Sequence, residues 1–134
     1  MKTRKPHKIL IVDDDPNDRF MAKRALSKSG VDAEVETVWR GEAALELLRH
    51  EADLPSLILL DLKMSGMSGI DFVRQIRADD RLKNITVIIV TNSLLESDKK
   101  EAYAAGADDF LNKALDTDRF GRDIQSVLAC WLKE

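Results

Sequence analysis

Three uninterrupted apolar runs constrain this chain more than any other feature: Ile9-Leu10-Ile11-Val12, Leu57-Ile58-Leu59-Leu60 and Val87-Ile88-Ile89-Val90. A strand with one wet face alternates apolar and polar residues, whereas a strand covered on both faces does not. The runs therefore read as strands of a parallel sheet. A weaker strand is expected over Ala33–Val38, and Phe110-Leu111 marks a short last one. Between the strands the apolar spacing becomes helical. Phe20, Met21, Ala25 and Leu26 share one side of a first helix that stops at Gly30, and Ala43, Ala44, Leu47 and Leu48 repeat in the second. Ile70, Val73 and Ile76 mark the third, and Phe120, Ile124, Val127, Leu128 and Trp131 form the stripe of the last. Asp15 is expected to cap the first helix, with Pro16 in the first turn, where a missing N–H has no partner to lose. Ser93 and Glu96 have capping-box spacing for the fourth helix, which ends at Gly106. Ala52–Ser56 and Ala78–Asn84 read as surface connections.

Strands alternating with helices argue for an α/β fold with a parallel sheet. Right-handed crossovers place helices on both faces and all strand C-termini along one edge, where sites in such sheets lie. The length fits a single domain, 1–134. A formal charge of −3, from 21 Lys and Arg against 24 Asp and Glu, argues against nucleic acid or anionic lipid as a partner. One cysteine, Cys130, excludes an internal disulfide and favours a reducing compartment; beside Trp131 it reads as structural. No apolar stretch approaches the roughly 18 residues of a membrane span. Met1–Lys8 lacks the apolar region of a signal peptide. A cytoplasmic protein, with neither membrane nor nucleic acid as partner, is the expectation.

The polar residues at the strand ends carry the chemistry. Asp13 and Asp14 follow the first strand, Asp61 the third, Thr91 the fourth and Lys113 the fifth. Acidic residues after strands are often only helix caps, and Asp15 reads as one. Carboxylates crowded into one cleft, however, repel one another unless a cation is present, and hard divalent cations prefer oxygen ligands. A lysine and a threonine hydroxyl can serve a phosphoryl group. Together these residues point to phosphoryl transfer to or from an aspartate.

With these strand-end residues the chain resembles the receiver domain of two-component response regulators over about residues 8–132. The resemblance rests on Ile-Leu-Ile-Val-Asp13-Asp14-Asp15-Pro16, on Leu-Ile-Leu-Leu-Asp61-Leu62-Lys63-Met64 with Gly69, on Val-Ile-Ile-Val-Thr91, and on Gly106-Ala107-Asp108-Asp109-Phe110-Leu111-Asn112-Lys113. It implies a flavodoxin-like (βα)5 three-layer fold with strand order 2-1-3-4-5. It also implies that Asp61 accepts a phosphoryl group from a phosphohistidine of a sensor or hybrid histidine kinase. Mg²⁺ would be held by Asp13, Asp14, Asp61 and the backbone carbonyl of Lys63. Lys113 would contact a phosphoryl oxygen, Thr91 would turn toward it, and Phe110 would move inward as the aromatic switch. Output would pass through the helix 4–strand 5–helix 5 face, by homodimerisation or by docking a downstream phosphotransfer or effector protein. The Trp131-Leu132 ending and Asp15-Pro16-Asn17-Asp18 are similar to small stand-alone receivers that serve phytochrome-type kinases, without an effector domain. No enzymatic activity is expected beyond the receiver's own phosphorylation and dephosphorylation.

Three positions depart from the family pattern. Ala114 replaces the usual proline after the conserved lysine, and a trans bond is expected there because a non-proline cis bond costs about 2.5–4 kcal/mol. Asn92 stands where a small residue is common, narrowing access. Ser65 replaces a frequent proline, leaving its loop freer. Asn92 and Ala114 keep open a degenerate receiver, a constitutive interaction adaptor. A turnover phosphatase is disfavoured because Asp61-Leu62-Lys63 lacks a second acid, and nucleotide binding because no glycine-rich loop follows the first strand. Trp39 is expected to pack on the second helix. Trp131 reads equally as core or as an interface anchor.

Overall fold

A computed structural model describes residues 6–113 and 116–132. Among these the strands are β1 (His7–Val12), β2 (Ala33–Val38), β3 (Leu57–Leu60), β4 (Thr86–Thr91) and β5 (Asp109–Asn112). They alternate with the helices α1 (Pro16–Lys28), α2 (Gly41–His50), α3 (Gly69–Ala78), α4 (Glu96–Ala105) and α5 (Thr117–Trp131). All pairings are parallel and the order is β2-β1-β3-β4-β5. This is the flavodoxin-like arrangement expected of the chain.

The apolar runs are continuous because each strand feeds two cores. Leu10, Val12, Ile58, Leu60, Val87 and Ile89 pack with α2, α3 and α4 on one face. Their neighbours Ile9, Ile11, Leu57, Leu59, Ile88 and Val90 pack with α1 and α5 on the other. Side chains of successive strand residues point to opposite faces, so an alternation of environments needs no alternation of polarity. The register pairs Val12 with Leu60 and with Val38, and Thr91 with Asn112. The residues that follow these positions therefore emerge together along one edge.

Helix ends follow the local chemistry in most places. Asp15 accepts hydrogen bonds from the backbone of Asn17 at 2.8 Å and Asp18 at 3.2 Å, with Pro16 opening α1. Gly30 (φ +82°) follows α1, and Gly106 (φ +118°) ends α4 in the left-handed region. The expected capping box at Ser93 is not formed. Leu95 occupies the cap of α4, and the Ser93 hydroxyl accepts from Leu95 N at 3.2 Å and contacts Asp98. Ser93 is held back at the strand end, its N–H on Thr91 Oγ1 and its carbonyl on Asn112 Nδ2.

Several side chains depart from the expected placements. Phe20 is 64% exposed, because the stripe α1 buries is Ala22, Ala25 and Leu26. Two residues before Ala22 is about 200° around the helix. In α2 the buried residues are Gly41, Ala44, Leu45 and Leu48, while Ala43 is exposed. The connection after α3 is not wholly superficial, since Leu82 is fully buried. Beside it the Arg81 guanidinium donates to Leu48 O at 2.9 Å and so satisfies a carbonyl at the end of α2. Trp39 is 64% exposed, with the Arg19 guanidinium of α1 lying 4.9 Å from its ring centroid. Trp131 is partly buried, with its indole N–H on Asp109 Oδ2 at 3.0 Å. Cys130, read as structural, is exposed.

Candidate functional site

β1 and β3 deliver their acids side by side. Asp13 N donates to Val38 O at 3.1 Å and Asp61 N to Val12 O at 2.9 Å, so the ladder continues one residue past each strand. Both carboxylates are withdrawn from solvent, Asp13 being 5% and Asp61 7% exposed. Asp14 is half-buried, and its Oδ2 accepts from Ser65 N at 2.9 Å. Carboxylate oxygens of Asp13, Asp14 and Asp61 all lie within 4.8 Å of one another. A proline at position 65 would have no N–H to offer Asp14. Ser65 therefore ties its loop to the acidic cluster, contrary to the expectation that it leaves the loop freer.

Gly69 explains how α3 reaches so close. A Cβ at this residue would stand 2.4 Å from the carbonyl oxygen of Asp61 and 2.7 Å from Leu62 Cα. Only glycine lets the helix begin directly against the loop, where Gly69 N donates to Leu62 O at 2.8 Å.

Lys113 enters from β5, its backbone N–H on Thr91 O at 2.7 Å. Its ammonium donates to Asp18 Oδ2 at 2.7 Å and Asp13 Oδ2 at 2.9 Å, with Asp61 Oδ1 at 3.4 Å. Burial pushes the Asp61 carboxyl up to about 6; the neighbouring ammonium opposes this and the Asp13 charge adds to it. Burial likewise raises Asp13, against its bonds to Lys113 and Asp15 N. Burial disfavours the charged form of Lys113, but its bonds to Asp13 and Asp18 and the Asp61 charge outweigh it and hold the ammonium above the ordinary lysine range.

The far side of the edge is arranged differently. Thr91 is buried, and its Oγ1 accepts from Ser93 N at 3.2 Å. Phe110 is partly buried against the α2–α4 core. Its neighbour Asp109 takes hydrogen bonds from Trp131 of α5 and from the Tyr103 hydroxyl of α4, which burial and the Asp109 charge push up. Lys63 is exposed, with its backbone N–H on the Asp61 carboxylate and its ammonium 3.9 Å from Asp98. Asn92 is exposed, and Ala114 lies outside the described residues.

The structure thus brings Asp13, Asp14, Asp61 and Lys113 together, with Thr91 and Phe110 on the neighbouring strands. Asp18, Asn112 and Asp98 also border the site, although their places in the sequence do not by themselves mark them as site residues. For Asp18 a signal existed: three residues after the Asp15 cap, it occupies the turn of α1 nearest the strand ends.

Buried carboxylates crowded on one another suit a hard divalent cation such as Mg²⁺, and the lysine beside them suits a phosphoryl oxygen. Comparison with known proteins gives the family. A family model described as the response regulator receiver domain matches residues 9–125. The chain is 35% identical over 122 residues to protein PilH of Pseudomonas aeruginosa, covering 91% of this chain and 98% of that one. Among solved structures it is similar to the phosphorylated cyanobacterial phytochrome response regulator RcpA, with a TM-score of 0.88, 30% identity and 96% of each chain covered. It is also similar to the Mn²⁺-bound form of response regulator Rcp1, with a TM-score of 0.85, 28% identity and 96% of each chain covered. No described helix is long and apolar enough to cross a membrane.

Proposed function

The chain belongs to the response regulator receiver family, and on that premise we propose that Asp61 is a phosphoacceptor serving a sensor or hybrid histidine kinase. One Asp61 carboxylate oxygen attacks the phosphorus of a phosphohistidine, the P–N bond breaks, and the imidazole leaves as the aspartyl phosphate forms. The observation that carries this reading is the convergence of the Asp13, Asp14 and Asp61 oxygens within 4.8 Å, with the Lys113 ammonium against two of them.

Each residue has a part that follows from its surroundings. Asp61 is held by the ladder bond to Val12 and by the Lys63 N–H, which fixes the nucleophile before a donor arrives. A carboxyl group titrating near 6 is largely ionised at neutral pH, and it is more basic than an exposed aspartate. Asp13, Asp14 and Asp61, with the backbone carbonyl of Lys63, would hold Mg²⁺. When bound, the ion neutralises charge on the carboxylates and the transferring group. Lys113 supplies a fixed positive charge for a phosphoryl oxygen, and Thr91 a hydroxyl donor once it leaves Ser93.

The new charge on Asp61 then acts as a local switch. Thr91 turns toward the phosphoryl group, the β4–α4 loop follows, and Phe110 moves inward. The α4–β5–α5 face changes its affinity for a downstream phosphotransfer or effector protein, or for a second copy of the chain. Labelling by phosphoramidate in the presence and absence of Mg²⁺, in wild type and Asp61→Asn, tests the reading. Labelling should need both Asp61 and Mg²⁺; a wild type that takes up no label overturns it, and equal labelling of both proteins places the acceptor elsewhere.

A further inference from the structure

Among the described residues Lys113 has three carboxylates within ion-pair reach, and the nearest belongs to a residue for which the phosphoryl transfer has no direct use. The ammonium stands 2.7 Å from Asp18, 2.9 Å from Asp13 and 3.4 Å from Asp61. Asp18 lies in the first turn of α1 and outside the cluster of acids that converge to hold a cation. The pair is sheltered: side-chain exposure is 12% for Lys113 and 23% for Asp18. Both line a cavity of about 20 Å³ whose other walls include Ile11, Met21, Leu59 and Phe120. An ion pair with an apolar flank is screened less than one in open solvent.

The Lys113 ammonium already contacts the Asp13 and Asp61 carboxylates, so it and a divalent cation would compete for these two groups. We infer that Asp18 is a positioning residue that tethers the Lys113 ammonium to α1, so that the Asp13, Asp14 and Asp61 oxygens stay available to a cation until a phosphoryl group on Asp61 recruits the lysine. The inference rests on the proposed phosphoacceptor site and adds a residue that neither touches the phosphoryl group nor holds the ion. Neutralising Asp18 leaves the ammonium, among the described residues, Asp13 and Asp61 to pair with, and both would be cation ligands. Cation affinity then falls in two ways: one distant negative charge is lost, and the lysine becomes a stronger competitor. The second contribution exists only while Lys113 is present.

Calorimetric titration with Mg²⁺ separates them, using wild type, Asp18→Asn and Asp18→Glu, each also in a Lys113→Met background. Asp18→Asn should weaken Mg²⁺ binding about tenfold with Lys113 present and less than about twofold without it, and Asp18→Glu should restore the affinity. Equal factors in the two backgrounds overturn the tether, because Asp18 would then act only through space or through stability. A second readout needs no metal: the ¹⁵N–¹H resonance of the Lys113 ammonium in the metal-free protein should shift and exchange faster in Asp18→Asn. An unchanged resonance overturns the tether. A wild type that binds no Mg²⁺ overturns the phosphoacceptor reading instead, and the ammonium resonance alone then decides for or against the tether.

Discussion

The β3–α3 and β4–α4 units lie side by side in the same sheet and pack against the same core, yet they are held very differently. Helix α3 has 10 residues, buries Gly69, Ile70, Phe72, Val73 and Ile76, and is capped by the Ser68 hydroxyl on Asp71 N. Helix α4 also has 10 residues, but Ala102 alone is buried and its cap, Leu95, offers no side-chain hydrogen bond. Leu94 and Leu95, which lead into it, are 87% and 59% exposed. The unit bearing Asp61 is thus fixed by packing, while the unit bearing Thr91 is held by a few hydrogen bonds through Ser93, Asn112 and Asp98. A phosphoacceptor needs a fixed geometry, whereas a switch needs two arrangements of similar free energy. Segments that rearrange come from the weakly packed end of a structure.

Substitutions in the two units test this contrast. The largest effect is expected from Phe72→Ala, which empties a fully buried site under α3 and should cost about 4 kcal/mol in chemical denaturation. Tyr103→Ala on α4 should cost less than about 1 kcal/mol, and comparable losses from the two would erase the distinction. Next, Gly69→Ala drives a methyl group into the Asp61 carbonyl and should cost about 3 kcal/mol while slowing phosphoramidate labelling.

The Asp61 carboxyl is raised to about 6 in the fold, so the ionised form is the one the metal-free fold disfavours. Stability from this group is therefore lost as pH rises from the ordinary carboxylate range, near 4, through about 6. Asp61→Asn should remove that loss, raising metal-free stability at neutral pH by up to about 3 kcal/mol and flattening the pH dependence in this window. Destabilisation by Asp61→Asn would contradict the assigned sign. The smallest effect belongs to Leu95→Ser, within about 0.5 kcal/mol of wild type, with labelling unchanged.

Much of this arrangement was legible in the residues because burial on both faces leaves an unambiguous mark. The runs at Ile9, Leu57 and Val87 located the central strands and thereby the acids that follow them. Helix faces were harder to read. Phe20 is apolar yet points away from a stripe set by Ala22, Ala25 and Leu26, and nothing local distinguishes the two. Ser93 has the spacing of a cap, but bonds to Thr91 and Asn112 hold it at the strand end. Leu82 and Arg81 lie in a polar stretch whose burial and capping roles depend on α2, more than 30 residues away. At the site, the individual acids were readable while the pairing of Lys113 with Asp18 was not, since it spans 95 residues. Ser65 shows the same limit: its contribution is a backbone N–H directed at Asp14, which side-chain identity does not reveal.

The phosphoacceptor half of the edge is expected to stay fixed while the switch half responds. Amide hydrogen exchange of the Mg²⁺-loaded protein, with and without beryllofluoride as a mimic of the phosphoryl group, addresses it most directly. Protection should change from Thr91 to Phe110 and stay constant over Ile9–Asp14 and Leu57–Asp61. Bound beryllofluoride that leaves Thr91–Phe110 unchanged would contradict the account and favour a constitutive adaptor. Equal changes in both halves would show that the acceptor side is not the fixed frame described here.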